Sequence, residues 1–120
     1  MPDSTTVGTA FVPVREPAAA ADWYAAALGL GIREVTAWSA QLHDGDDRTV
    51  LTLMGPASGI RAEPGLPFAT CSYLVDDLDA ARRRLQAAGA APSAVDGSPE
   101  ACLFVTARDP DGNVLLVVDR

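Results

Sequence analysis

Residues able to do acid–base, nucleophilic or metal chemistry are few and scattered in this 120-residue chain. The single histidine, His43, is followed by Asp44, Asp46 and Asp47, so a carboxylate could orient it as a general base. The same stretch also reads as a solvated imidazole beside a charged hairpin turn, and the Asp44-Gly45-Asp46-Asp47 spacing favours that reading. Cys71 and Cys102 are too few for a disulfide framework and too far apart for a zinc knuckle. Two small buried hydrophobes carrying free thiols describe them best. The glutamates, Glu16, Glu34, Glu63 and Glu100, fall at turns or on outer strands. No G-x-S-x-G elbow, H-E-x-x-H helix, glycine-rich phosphate loop or C-x-x-C pair occurs. Arg82-Arg83-Arg84 spans nearly a full helical turn, so it makes no single basic face. With Asp76, Asp77 and Asp79 just before it, a solvated, salt-bridged surface is expected there.

With 48% hydrophobic and 21% charged residues, the chain has apolar material for the core of one small soluble domain. Nine basic residues against sixteen acidic ones give a net charge of −7, which argues against a phosphate-tracking surface and against nucleic acid as a partner. Such a charge suits a cationic ligand, and it equally serves solubility. All nine basic residues are arginine and alanine is abundant, a composition typical of a GC-rich bacterial genome. Residues 1–10 hold no basic segment followed by an apolar run, and no apolar stretch approaches the ~20 residues that span a bilayer. A cytoplasmic location without a membrane partner is the resulting expectation.

The elements that would position any site fall into two similar halves. Residues 7–14 alternate like a strand, and Pro17 marks the start of a helix over 18–28. Ala20, Trp23, Ala27 and Leu30 form its apolar stripe, and Gly29 and Gly31 supply its stop. Strands are predicted over 32–37, 38–43 and 49–54, with the acidic turn at 44–47. Three glycines and three prolines make residues 55–67 a linker. The pattern then restarts with a strand over 68–75 and a helix capped by Asp76 or Asp77. That helix buries Leu78, Ala81, Leu85 and Ala88 and ends at Gly89. Strands over 93–95, 101–107 and 114–118 follow, the last two joined by the tight turn Asp109-Pro110-Asp111-Gly112.

An offset of 61 lays Thr9 on Thr70, Val14 on Val75 and Ala19-Ala20 on Ala80-Ala81. The fold class expected is α+β: two βαβββ modules, about 7–55 and 67–120 of one domain over 1–120. Each module alone would leave a sheet face bare, so the pair forms a curved mixed-sheet cup with helices on its outer face.

Four segments carry a family resemblance: Val12-Pro13-Val14-Arg15-Glu16-Pro17, the run from Trp23-Tyr24 to Leu28-Gly29-Leu30, Val75-Asp76-Asp77-Leu78-Asp79-Ala80, and Arg108-Asp109-Pro110-Asp111-Gly112-Asn113. Together they resemble the vicinal oxygen chelate superfamily of glyoxalase I, extradiol dioxygenases, fosfomycin resistance enzymes and bleomycin resistance proteins. The resemblance implies a cup of paired modules, commonly completed by a second subunit, with ligand on the concave sheet surface. It also implies where a metal would sit in metal-dependent members: on His, Gln or Glu, one early in each module's first strand and one in each last strand. Those positions fall on Thr9, Thr52, Thr70 and Leu116. Allowing a one-residue slip reaches Gly8, Ala10, Leu51, Leu53, Ala69, Cys71, Leu115 and Val117, of which only Cys71 binds metals. Neither a metal nor another cofactor is therefore expected.

Alternation from those positions sets the expected lining: Thr9, Phe11 and Pro13; Val50, Thr52 and Met54; Thr70, Ser72 and Leu74; Val114, Leu116 and Val118. Such a surface buries a flat or hydrophobic ligand and orients it with a few hydroxyls. Trp38 opens a strand beside the cup, where its indole stacks on a planar ligand for ~0.5–1.5 kcal/mol or packs between strands or subunits. Phe104 or Leu103 adds a group from the second module, and Trp23, matching the family's helix position under the sheet, belongs to the core. The function expected is metal-independent binding: sequestration of a hydrophobic or planar, antibiotic-like small molecule by a homodimer, resembling the bleomycin-resistance branch. The alternative is a metal-free isomerase, cyclase or lyase acting on a small carbonyl or polyketide-like substrate, with His43 or a carboxylate reaching the cup as base. A third is a regulatory module whose cup holds a partner protein.

Overall fold

Pro17 and Leu78 open the two helices 61 residues apart, the same offset as the sequence repeat. In the computed structural model, which describes residues 4–120, the order is β1 (Ala10–Pro13), α1 (Pro17–Leu28), β2 (Gly31–Val35), β3 (Ser39–His43) and β4 (Thr49–Met54). A short 3-10 turn at Pro56–Ser58 begins the linker. Then come β5 (Ser72–Leu74), α2 (Leu78–Ala87), β6 (Asp96–Ser98), β7 (Cys102–Arg108) and β8 (Val114–Val118). Two four-stranded mixed sheets result, ordered β1-β4-β3-β2 and β5-β8-β7-β6. In each, the first strand pairs parallel with the last and the other pairs are antiparallel. The helix in each module lies within the long connection that a parallel pair requires. The α+β fold of two βαβββ modules is thus present.

Local chemistry sets the helix ends. Pro17 begins α1, and Gly29 ends it at φ 70°, where its N–H donates to the Ala25 carbonyl at 2.9 Å. Asp77, rather than Asp76, caps α2 by accepting from the Ala80 N–H at 3.0 Å. One face of each sheet is sealed by its helix. Tyr24, Ala27 and Ala21 of α1 pack over Ala40, Leu42, Leu51 and Leu53, and Ala81 and Leu85 of α2 over Val105 and Val117. Each of those buried leucines contributes about 1.5–3 kcal/mol of burial.

Several boundaries and faces differ from the sequence reading. β1 opens at Ala10 rather than residue 7, because Val7 is 79% exposed with no strand beside it. Residues 68–71 do not pair, since the linker instead meets β8 through the Leu66 carbonyl, which accepts from the Val114 N–H at 3.2 Å. The strand expected over 93–95 forms at Asp96–Ser98. Ser93 is held to Thr106 twice, its N–H donating to the Thr106 carbonyl at 2.8 Å and its Oγ accepting from the Thr106 N–H at 3.0 Å. Regular pairing begins at Asp96, and the φ of 93° at Gly97 together with its closeness to the Cys102 carbonyl leaves no room for a Cβ there. Tyr24, not Trp23, centres the α1 stripe. α1 faces both its own sheet and the second module, and Trp23 sits half-buried at the helix–helix seam, donating from Nε1 to the Ala88 carbonyl at 3.0 Å. Trp38 lies in the bend between β2 and β3 instead of opening a strand. Among the described residues the arginines at 82–84 make no ion pair; Arg82 Nε donates to the Ser93 carbonyl at 2.7 Å and Arg84 Nε is buried without a partner.

The turn after β7 clasps the modules. Asn113, 2% exposed, accepts from the Gly65 and Leu66 N–H groups on Oδ1, both at 2.9 Å. Its Nδ2 donates to the Pro13 carbonyl at 2.9 Å and to Asp109 Oδ2 at 2.8 Å. Asp109 Oδ2 also accepts from the Tyr24 hydroxyl at 2.6 Å, and Arg15 pairs with Asp111 at 2.8 Å. Among the described residues no strand pair joins the two sheets, so β1 and β5 remain open edges. No helix among them is long and apolar enough to cross a membrane.

Candidate functional site

The helix-free faces of the two sheets are built by alternation. Leu51 and Leu53 point to α1, so Thr52 and Met54 point the other way, and the ladder puts Phe11 and Gln41 on the rung of Thr52. Glu34 extends that rung onto β2. In the second module Ser72, Leu116 and Thr106 share one rung, and Leu74, Val118 and Phe104 the next. That settles the phase of β7: Phe104 is on the open face, while Leu103 packs against the core. Phe11 is 53% exposed and Leu74 70% exposed. Pro13 and Val118, expected on the lining, are buried within the chain.

Thr9 and Thr52 meet, their hydroxyl oxygens 3.0 Å apart, and Thr9 Oγ1 also donates to the Ala10 carbonyl at 3.2 Å. Their counterparts in the second module do not meet: Thr70 is exposed in a bend and Leu116 has no polar atom. Trp38 is 64% exposed at a turn fixed by Thr36, whose hydroxyl accepts from the Trp38 and Ser39 N–H groups, both at 3.1 Å. The Trp38 carbonyl accepts from the Gly55 N–H at 2.7 Å, which puts Trp38 at the end of the β3–β4 ladder next to the Ser39–Met54 rung.

A cavity of about 520 Å³ opens between the edge strands β1 and β5. Gly8, Ala10, Leu28 and Leu30 form one wall, Ser72 to Val75 another, and Asp44, Asp46 and Arg48 of the β3–β4 hairpin the rim. Of the residues expected on the lining, Val50, Ser72 and Leu74 border it, and the others do not. Cys71 and Tyr73 face its inner side, and the Tyr73 hydroxyl is buried without a hydrogen-bond partner. Burial first, and then the neighbouring Cys71, pushes the Tyr73 phenol well above its ordinary range. Burial likewise raises the Cys71 thiol. Both cysteines are half-buried free thiols rather than fully buried ones.

The candidate base is occupied. His43 Nδ1 lies 2.9 Å from the Asp44 carbonyl, and its ring rests against Gly31, where a Cβ would collide with it. It does not line the cavity. Asp44 does, but its carboxylate accepts from the Arg48 and Asp46 N–H groups, at 3.0 and 2.9 Å, which holds its pKa below the usual carboxylate value. A carboxylate stabilised as the anion is a weak proton acceptor.

The family model described as the Glyoxalase/Bleomycin resistance protein/Dioxygenase superfamily matches residues 6–117. The chain belongs to this superfamily. Its fold is shared by a superfamily member from Sphaerobacter thermophilus DSM 20745, with a TM-score of 0.79 at 22% identity over 98% of both chains. A bleomycin-binding protein in complex with bleomycin is similar with a TM-score of 0.71 at 23% identity, over 97% of this chain and 99% of that one. A lactoylglutathione lyase from Agrobacterium tumefaciens gives 0.75 at 19% identity, over 98% and 95%. No curated protein sequence matches. The superfamily thus spans binders and enzymes, and the likeness at these identities is one of fold.

The resemblance would put the cation of metal-dependent members at Thr9, Thr52, Thr70 and Leu116 of this chain. Here two of those side chains are hydroxyls bonded to one another, one is turned to solvent and one is apolar. Among the described residues no three His, Cys, Asp or Glu side chains converge. This donor set does not fit a divalent cation, which takes several ionised or imidazole ligands. Sequence reasoning missed Gln41, Thr106, and the Leu28, Leu30 and hairpin residues around the cavity.

Proposed function

We propose that this superfamily member is a metal-independent binding protein that sequesters a hydrophobic or planar, antibiotic-like small molecule. The observation that carries this reading is the Thr9–Thr52 hydroxyl pair at 3.0 Å, which stands where a catalytic member needs cation ligands and can only orient a ligand. Phe11 and Met54 supply apolar area on the same sheet face; Leu74, Phe104 and Leu116 supply it on the second sheet, Ser72 and Thr70 add hydroxyls there, and Trp38 offers an exposed aromatic face at the β2–β3 bend. The 520 Å³ cavity beside these faces, which Val50, Ser72 and Leu74 border, has the size of small-molecule sites, about 300–1,000 Å³. We place the functional unit as a cytoplasmic homodimer, in which the open edges of β1 and β5 and the bare sheet faces of one copy meet those of another.

Native mass spectrometry tests this on the purified protein, alone and with a panel of planar and glycopeptide antibiotics. A dimer that takes up one or two ligand molecules of unchanged mass supports sequestration. A ligand of shifted mass at substoichiometric protein, or retained metal, would mean chemistry and sink the proposal.

A further inference from the structure

The cavity between the modules has a neutral interior and a charged mouth. Ala10, Leu30, Tyr73 and Val75 line it and also pack against the core, whereas Ser72 and Leu74 line it from the helix-free face of the second sheet. It is therefore a slot between the open edges of β1 and β5, with an apolar wall from each module. Cys71 and Tyr73 are the ionisable groups on its inner side, and burial raises both above their ordinary values, so neither is charged at neutral pH. An ion carried inside would lose its hydration with no charged side chain beside it. The charged residues of the lining are Asp44, Asp46 and Arg48, all at the β3–β4 turn. Two carboxylates against one guanidinium leave that end negative. The Asp46 and Arg48 N–H groups hold the Asp44 carboxylate as the anion, and the exposed Asp46 carboxylate makes no ion pair among the described residues.

On the basis of the binding function proposed above, we infer that this slot takes an amphiphilic cation: a flat apolar body between the modules, with an amine or quaternary ammonium group left at the mouth beside Asp44 and Asp46. The head group keeps much of its water and gains carboxylate neighbours, while the body leaves water for side chains of both modules. An anion of the same shape meets two carboxylates at the same place. A neutral analogue keeps the burial and loses the attraction, so its affinity lies between.

Three soluble probes share a 2-naphthylmethyl body and differ in the head: (2-naphthylmethyl)trimethylammonium, 2-naphthylmethanol and 2-naphthaleneacetate. Affinities come from amide chemical-shift titration of the intact protein, with Gly8, Leu30 and Leu74 as reporters. Alkylation by N-ethylmaleimide reports occupancy at Cys71, with Cys102, outside the cavity, as the control. The cation is expected to bind at least tenfold tighter than the anion, with the alcohol between them, and all three to slow alkylation of Cys71 but not of Cys102. Asp46→Asn is expected to cut the cation-to-anion ratio at least threefold. Glu100→Gln removes the same charge from the β6–β7 turn and should leave the ratio nearly unchanged, which separates the mouth from the general field of a chain at −7. A Cβ on Gly8 meets no atom within 4 Å, so Gly8→Phe adds bulk to one wall without a clash, and it is expected to weaken all three probes at least tenfold. A ratio near one, or an equal fall with Glu100→Gln, overturns the inference, and protection of Cys71 would still leave the binding function standing. Shifts at Phe11 and Thr52 without protection of Cys71 put the ligand on the open sheet face, which overturns the inference and not the binding function. No response to any probe overturns the inference, and the antibiotic panel by native mass spectrometry then decides the binding function separately. Should Gly8→Phe not fold, the order of the probes and the two charge variants still decide.

Discussion

Raising the pH should unfold this protein through its tyrosines. The chain contains two, Tyr24 and Tyr73. Burial is the main cause that raises both phenols above their ordinary value of 10.0, with the Asp109 carboxylate adding to Tyr24 and Cys71 to Tyr73. Above pH 10 the unfolded chain therefore gives up two protons that the folded chain keeps. The unfolded state then binds fewer protons, so stability is complete below pH 10 and declines as pH rises past it. Each phenol contributes a slope of up to ~1.4 kcal/mol per pH unit, or about 5 kcal/mol for the pair at pH 12. A loss of that size rivals the ~5–15 kcal/mol total stability of a small domain. Absorbance at 295 nm, which reports tyrosinate, checks this against circular dichroism in one titration. Both signals should move together in one cooperative step well above pH 10, and Tyr24→Phe should halve the slope of stability against pH measured by urea unfolding. A tyrosinate step near pH 10 with the fold intact would refute the burial of these hydroxyls and the Tyr24–Asp109 contact.

Asn113→Ala removes four hydrogen bonds at the clasp between modules and should cost about 3 kcal/mol or more, read as a lower urea midpoint. Asp77→Ala leaves the Ala80 N–H without its cap and should cost about 1 kcal/mol in the same assay. Leu53→Ala, at a fully buried site between β4 and α1, should cost about 2–5 kcal/mol, far more than Val7→Ala at an exposed one. Lowering the pH should leave the β3–β4 hairpin intact until Asp44 protonates: its depressed pKa gives stability that is present above the normal carboxylate range and is lost as pH falls through the folded value. Amide shifts of Asp46 and Arg48 report that step.

The fold was legible because its signals are local. Pro17, Gly29, Asp77 and Gly89 mark helix ends by their own backbone and side-chain chemistry, and β4 and β8 lie at 49–54 and 114–118 as their alternation predicts. The site was legible only in part, for two physical reasons. Counting back from the acidic turn, His43 opposes Thr49 and a regular hairpin would set Ala40 opposite Thr52. An irregularity between Leu42 and His43 shifts the register by one residue, turning Gln41 onto the rung of Thr52 and Ala40 into the core. The cavity could not be read because its walls come from both modules and the end of α1, which only tertiary packing brings together. The same holds for Tyr24, whose place at the centre of the stripe depends on Asp109, 85 residues later.

That long reach has a consequence for how the chain is made. β1 through β4 are complete by Met54, so the first module has all its strands while the second is still being synthesised. The hydroxyl of Tyr24 and the Pro13 carbonyl nevertheless lack their acceptor and donor until Asp109 and Asn113 have left the ribosome. A nascent first module therefore carries an unanswered polar seam and an open β1 edge through most of translation. Its commitment to the native state comes with nearly the last turn of the chain, and a ribosome stalled between the modules would present the segment most open to capture by a chaperone or by another nascent copy.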